Sequence, residues 1–257
     1  FMDFILSLDL GTTSVRAVIF DTNNKAVSSA EKELSLYHPN PGWVEQDPIE
    51  MIEKQIQVVK LVLEKTDISN GKITAIGITN QRETCILWDK KTGKPYGNAI
   101  VWQDRRTSDL CKAMIRNGER NFVYEKTGLI IDPYFSASKI SWMLNNSSDL
   151  RRKATEGKVA FGTVDSWLLW NLTDKKIHVT DGTNASRTML YNIHELDWDE
   201  ELLELWKIPR TLLPEVIPTA GEYGTTSILT GTSVPITAVA GDQQAALFGQ
   251  MCFTPGT

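Results

Sequence analysis

Asp9-Leu10-Gly11-Thr12-Thr13-Ser14, set between the apolar runs Phe4 to Leu8 and Val15 to Phe20, decides how this chain is read. Both flanking runs have β-type composition and no helix fits between them, so the six residues read as a hairpin turn in which Gly11 lets the backbone reverse tightly. Thr12, Thr13 and Ser14 bring N–H and hydroxyl donors to that turn, and Asp9 stands at its entrance, where a carboxylate can hold a hydrated metal. Two better-known phosphate patterns are absent: there is no GxxxxGK[ST] loop opening a helix, and no set of three spaced glycines. An Asp-Gly-Thr turn is also an ordinary hairpin, so the phosphate reading and the plain one both stand at this point.

Outward from the turn, the first ninety residues read as strand, turn, strand, turn, strand, helix, strand. Asp21 to Lys25 predicts the second turn and Ala26 to Leu36 the third strand. Between Pro48 and Lys65, Ile49, Ile52, Ile56, Val59 and Leu63 recur every three or four residues, which predicts an amphipathic helix begun at Asp47-Pro48. Ile73 to Thr79 reads as a strand buried on both faces, followed by a strand at Ile86 to Trp88 and a turn at Lys90 to Lys94. Further on, Ala99 to Trp102 predicts a short strand, and Ser108 to Arg116 and Ser136 to Asn145 predict helices. Val164 to Leu172 reads as a buried helix, Leu202 to Trp206 as a helix stopped by Pro209, and Ile236 to Ala240 as a strand entering Gly241-Asp242. No repeat or linker divides the chain, so it reads as one α/β domain, residues 1–257, with an elaborated second half. The strand–turn–strand nucleotide logic resembles the actin-like ATPase or ribonuclease H-like fold, a mixed sheet flanked by helices.

Composition narrows the function. The 257 residues carry 27 Lys and Arg against 32 Asp and Glu, a formal net charge of -5. That balance argues against a nucleic-acid surface and for small-molecule partners. Cys85, Cys111 and Cys252 are widely spaced and suggest neither a disulfide framework nor a zinc site. No stretch is apolar enough to span a bilayer and no signal core opens the sequence, so a cytoplasmic, reducing location is expected and the sequons at Asn145, Asn146, Asn171 and Asn184 carry no weight. Phe1, ahead of Met2, reads as a leftover of expression. His38, His178 and His194 lack ligand spacing, and Trp142, Trp167 and Trp170 sit at helical spacings that favour core packing.

Two polar clusters stand at the ends of predicted strands. Thr79-Asn80-Gln81-Arg82-Glu83-Thr84 follows the most apolar strand, where α/β sheets present ligand loops. Its bland reading is a solvated loop with an Arg82/Glu83 ion pair; its functional reading is a donor and an acceptor gripping neighbouring hydroxyls of a polyol. Gly241-Asp242-Gln243-Gln244 opens a run of helix formers. Asp242 is either a helix cap or a general base for an alcohol attacking a γ-phosphate.

With these three segments in view, the chain resembles the FGGY carbohydrate kinase family, on its glycerol-phosphorylating branch, from end to end. Supporting runs are Pro41 to Pro48, Ala99 to Arg106, Gly128 to Phe135, Phe161 to Asp165 and Thr183 to Leu190, and Tyr134 to Trp142 is similar to the first family signature. The resemblance implies ATP-dependent phosphorylation of glycerol to glycerol 3-phosphate, with ATP and Mg2+ as cofactors. It implies that Arg82, Glu83, Tyr134 and Asp242 bind the hydroxyls, that Trp102 lies against the carbon backbone, and that Gln243 lies beside the acid. Asp242 is implied as the general base. Asp9, Gly11, Thr12, Thr13 and Arg16 are implied for the ATP phosphates, with Asp9 and Asp242 reaching the magnesium through water. Relatives of this kind continue into a carboxy-terminal ATP-binding domain, so an isolated chain ending at Thr257 is expected to lack full activity, and the longer enzyme is expected to be a homo-oligomer. Ser233 stands where regulated relatives carry an arginine for fructose bisphosphate, which argues against that effector. Two rivals remain: a kinase for another sugar or polyol, and a non-catalytic actin-like nucleotide-binding module.

Overall fold

The alternating pattern of Met2–Leu10 buries Phe4, Leu6, Leu8 and Leu10 and leaves Ile5, Ser7 and Asp9 on the other face, so the strand presents one apolar side to a core. A computed structural model describes residues 2–66, 71–173 and 176–256 of this chain; Phe1 and Thr257, on which two of the sequence readings rest, lie outside them. Met2–Leu10 pairs antiparallel with Ser14–Asp21, which pairs antiparallel with Ala26–Glu33. On its other edge it pairs parallel with Gly71–Asn80, which pairs parallel with Val234–Gly241, and the short strand Thr225–Thr226 closes the six-stranded mixed sheet.

The register decides where the site lies. Asp9 is opposite Thr79, Leu10 opposite Asn80, and Asn80 opposite Gly241. Three parallel strands thus end level with one another, and Gly11, Gln81 and Asp242 leave the sheet at the same carboxyl edge, the place where open α/β sheets take ligands.

The helix Pro48–Lys65 starts where expected: Asp47 accepts from Ile49 N, and Pro48 sits in the first turn. Its buried face is rotated from the one the isoleucines outline. Met51, Gln55, Val58, Val59 and Val62 face the sheet, whereas Ile49 is exposed and Ile52, Ile56 and Leu63 are only partly covered. The apolar stripe is broader than one helical face, so spacing alone leaves its centre open. Val164–Leu172 is buried all round, with Trp167 in the core.

Beyond the sheet, a second hydrophobic cluster joins the helices Ser108–Arg116, Arg120–Thr127, Ser136–Asn145 and Ser148–Thr155 to Leu202, Leu203 and Trp206. This is the elaborated half of the chain. Arg120–Thr127, Ser148–Thr155 and the one-turn helix Gly182–Ala185 have too few apolar residues to announce themselves. Glu200–Trp206 stops at Lys207, whose left-handed φ of 55° ends the helix before Pro209 is reached.

Candidate functional site

The turn after Met2–Leu10 has the predicted hairpin form, with Gly11 N donating to Ser14 O at 3.0 Å. Space at Gly11 is tight: a Cβ there would sit 3.2 Å from Ser14 O. Much of the donor set is engaged. Ser14 Oγ and Arg16 Nη2 both donate to Glu31, at 2.6 and 3.0 Å. Thr12 is tied into a polar net: Trp102 Nε1 donates to its hydroxyl at 2.8 Å, its hydroxyl donates to Gln81 Oε1 at 3.3 Å, and Gln46 Nε2 donates to its carbonyl at 2.7 Å. Gln81 Nε2 closes the net on Gln46 Oε1 and Gly11 O, at 2.8 and 3.1 Å. Among the described residues, the backbone N–H groups of Thr12 and Thr13 have no acceptor in the chain.

The Arg82/Glu83 pair is neither solvated nor mutual. Arg82 is 5% exposed and Glu83 1% exposed. Arg82 Nε donates to Asp242 Oδ1 at 3.1 Å and its Nη1 to Gln244 Oε1 at 3.2 Å. Glu83 instead receives Arg187 Nε at 2.6 Å. Glu83 has φ 62°, the left-handed region that glycine adopts freely and a glutamate does not, so the turn carries a conformational cost of about 1–3 kcal/mol. Burial raises Glu83 above the usual carboxylate range, and Arg187, Arg82 and Lys139 pull it back.

The aromatic wall is built beside them. Trp102 and Tyr134 rings are 5.4 Å apart at 54°, and Tyr134 also packs edge-on against Phe135. Lys139, fully buried, donates to the carbonyls of Tyr134 and Phe135 and so fixes the wall's backbone. Burial holds its ammonium below the ordinary lysine range.

Asp242 is not the helix cap. Gly241 holds that position, and Asp242 is the first residue of Asp242–Gly249. A carboxylate there is favoured by the helix dipole. Gly241 has a steric reason to lack a side chain: a Cβ would fall 2.4 Å from Arg82 Cδ. Asp9, across the edge, is raised chiefly by burial, with Arg16 opposing and Asp242 adding to the rise. The two carboxylates therefore feel each other. Gln243 is exposed, its N–H donating to Asp242 Oδ1 at 2.7 Å. Ser233 is exposed in the loop before Val234–Gly241.

Behind the site lies a hub that sequence reasoning passed over. Asp181 Oδ1 accepts from Asn184 Nδ2 at 3.0 Å, and its Oδ2 accepts from Thr183 and Thr219 hydroxyls at 2.8 and 2.6 Å. Thr183 Oγ1 in turn receives Gly241 N at 2.8 Å, and Asn184 Oδ1 receives Asn80 Nδ2 at 2.9 Å. One buried acid thereby ties the start of the Asp242 helix to the start of the Arg82-Glu83 turn. Only the compact run Thr183 to Leu190 hinted at it, and nothing in that run marks which residues face inward.

The match to known proteins agrees with this geometry. Residues 4–249 match the FGGY family of carbohydrate kinases, N-terminal domain. Glycerol kinase 2 of Thermotoga maritima is 56% identical over 256 residues, covering 99% of this chain and 52% of that protein. Glycerol kinase of Halorhodospira halophila is 56% identical over 255 residues, covering 98% and 50%. The crystal structure of Plasmodium falciparum glycerol kinase with ADP matches with TM-score 0.94 at 36% identity, covering 98% of this chain and 51% of that one. Gluconate kinase from Lactobacillus acidophilus matches with TM-score 0.85 at 26% identity, covering 94% and 48%. The chain thus spans about half the length of the relatives it matches. A sheet whose parallel strands end level at Gly11, Gln81 and Asp242, and a family match over nearly all of its residues, lead to one conclusion: the chain belongs to the FGGY family of carbohydrate kinases and has their actin-like α/β fold.

Proposed function

We propose that this chain is the amino-terminal, substrate-binding half of an ATP-dependent glycerol kinase, which transfers the γ-phosphate of ATP to glycerol and gives glycerol 3-phosphate. One observation carries the reading: Arg82 and Glu83 leave a single turn, are both buried, and take their counter-charges from two different segments, Asp242 and Arg187. A donor and an acceptor are thereby held side by side, next to the Trp102–Tyr134 wall, as a short polyol with a C–H face requires. The similarity to glycerol kinases supports glycerol over a longer sugar.

Arg82 and Glu83 bind and orient the hydroxyls, Tyr134 and Gln243 complete the polar rim, and Trp102 covers the carbon chain. Asp242, at a helix start and within reach of Arg82, accepts the proton of the attacking hydroxyl. Thr12 and Thr13 face the phosphates with their free N–H donors, and Gly11, its own N–H bonded to Ser14, lets them approach closely; Arg16 serves there on release from Glu31, an exposed pair worth little. The donor set suits a hydrated magnesium ion: Asp9 and Asp242 are two mutually repelling carboxylates, and no group of three or more His, Cys, Asp or Glu among the described residues would hold a dehydrated metal. When bound, magnesium neutralises phosphate charge and ATP supplies the phosphoryl group. The adenosine pocket belongs to a carboxy-terminal half, for which Leu247, Phe248, Met251 and Phe253 form an exposed apolar surface.

A cytoplasmic location and self-association of the longer enzyme are parts of the same proposal; no helix among the described residues is long and apolar enough to cross a membrane. The test is formation of glycerol 3-phosphate from ATP and glycerol, measured for this chain alone and for the chain continued into a carboxy-terminal half. Turnover only in the longer protein is expected. Turnover with another polyol but not with glycerol would overturn the substrate, and robust turnover by this chain alone would overturn the division of labour.

A further inference from the structure

We propose that Arg187 is a positioning residue for the polyol site, acting through Glu83: it keeps that buried carboxylate charged and turned toward the ligand, so that Glu83 accepts hydroxyl protons rather than donating one. This deepens the glycerol reading and rests on it.

Arg187 is built to do this. Its Nε donates to Glu83 Oε1 at 2.6 Å, and its guanidinium lies 4.8 Å from the Phe135 ring centre and 5.7 Å from that of Tyr134. A planar cation stacked on an aromatic face has few rotamers left, so it fixes its partner's direction as well as its charge. Arg187 is also anchored from behind: its N–H donates to Asn184 O at 3.1 Å, and Asn184 is bonded to Asn80, two residues before Arg82. The ion pair and the turn it serves therefore move as one unit.

Glu83 needs such a partner. At 1% exposure its carboxylate has lost its water, and its turn holds a left-handed backbone uncommon for a glutamate. The groups that face it are Arg187 from the Thr183 to Leu190 segment, Arg82 from its own turn, Lys139 from Ser136–Asn145, the Tyr134 hydroxyl, and the Cys85 thiol, which burial pushes up to about 11. Arg82 is bonded to Asp242 and Gln244, and Lys139 to two carbonyls, so neither donates to Glu83. Among the described residues, Arg187 is the one cation that hydrogen-bonds to it. Without that bond, burial is opposed only at a distance, and protonation of Glu83 moves up toward neutral pH.

The experiment has two readouts on the wild-type chain, Arg187→Ala and Arg187→Lys. The first is the carboxyl 13C titration of Glu83 without ligand, assigned by its loss in Glu83→Gln; the second is the glycerol Kd by calorimetry from pH 5 to 8.5. Arg187→Ala is expected to raise the Glu83 midpoint by about one unit or more and to weaken glycerol binding by about ten-fold or more at the acid end, with the gap to wild type narrowing as pH rises. Arg187→Lys, which keeps the charge, is expected to restore the wild-type pH profile even if it binds a few-fold more weakly. An Arg187→Ala midpoint equal to wild type, or a Kd curve parallel to wild type at every pH, would overturn the proposal, because a purely structural loss shifts Kd without reshaping its pH dependence. Wild-type chain that shows no saturable glycerol binding at any pH would overturn the polyol reading itself, while the ligand-free Glu83 titration still decides what Arg187 does.

Discussion

Replacing Gly241 by Ala adds one methyl group where the strand Val234–Gly241 meets the helix that carries Asp242. Gly241 has φ -59° and ψ 148°, a backbone any residue adopts, so the change carries no conformational strain. It is a question of space. The new Cβ would stand 2.4 Å from Arg82 Cδ, 2.8 Å from Arg82 Cγ and 3.1 Å from Gln244 Oε1. Arg82 is buried and has nowhere close to go, so relief means swinging its guanidinium off Asp242 and Gln244. Overpacking of this kind costs about 1–3 kcal/mol of stability. Loss of one guanidinium bond to a ligand hydroxyl is worth about 1.5–3 kcal/mol, which raises the glycerol Kd by roughly 10- to 150-fold. Calorimetry of glycerol binding, with urea unfolding alongside, gives both numbers. Two controls isolate the cause. In an Arg82→Ala background the clashing atoms are gone, so Gly241→Ala should then cost less than about 0.5 kcal/mol. Gly241→Ser carries the same Cβ but is the better helix cap, so it should be as damaging as Ala if the clash is responsible. Glycerol affinity within about two-fold of wild type in Gly241→Ala, or an equal cost in both backgrounds, would refute the steric argument.

Asp242→Asn in an enzyme containing this chain and a carboxy-terminal half should lower glycerol turnover by about 10²- to 10⁴-fold; a drop of only a few-fold would remove Asp242 from the role of base. Asp181→Ala strands Thr183, Asn184 and Thr219 donors in the interior and should cost about 3 kcal/mol or more in urea unfolding, whereas a change under about 1 kcal/mol would show that the hub is replaceable. Two buried groups should also set opposing pH slopes. Burial holds His178 down at about 4, so the unfolded chain binds the extra proton below the ordinary histidine value and stability falls as pH drops from about 6.5 to 4. Burial holds Asp165 up at about 6, so the folded chain binds the extra proton and stability rises as pH drops from 6 toward 4. Each contributes about 1.4 kcal/mol per pH unit, and they offset each other in wild type. Asp165→Asn should unmask the histidine slope and His178→Gln the opposite one, and unchanged profiles in both variants would contradict these assignments.

What the sequence made legible follows from what each residue has to do locally. The hairpin at Gly11, the strand into Asp242 and the capped start at Asp47-Pro48 are short-range arrangements, and the structure places them as read. Partners across the fold were not legible. Adjacent Arg82 and Glu83 look like a pair, yet one binds Asp242 and the other Arg187, because buried charges pair with whatever the topology brings to them. The helix capping reading of Asp242 failed for a similar reason: Arg82 leaves no room for a side chain at the true cap, Gly241. Arg187 sat inside the run Thr183 to Leu190, recognised only as a block, and Asp181 just before it went unread, since a polar residue's inward turn depends on contacts with segments far away in the chain.

The central claim is that a three-carbon polyol binds between the Arg82-Glu83 turn, Asp242 and the indole of Trp102. The most direct test is an NMR titration of glycerol into this chain, following the Trp102 Nε1–H, which is bonded to Thr12, and the Arg82 Nε–H, which is bonded to Asp242. The account predicts that both signals move together along one saturable curve, and that 1,2-propanediol, which leaves a buried partner unmatched, needs about ten-fold more ligand or higher to produce the same shift. Equal curves for the two compounds, or glycerol-dependent shifts that miss Trp102 and Arg82, would contradict it.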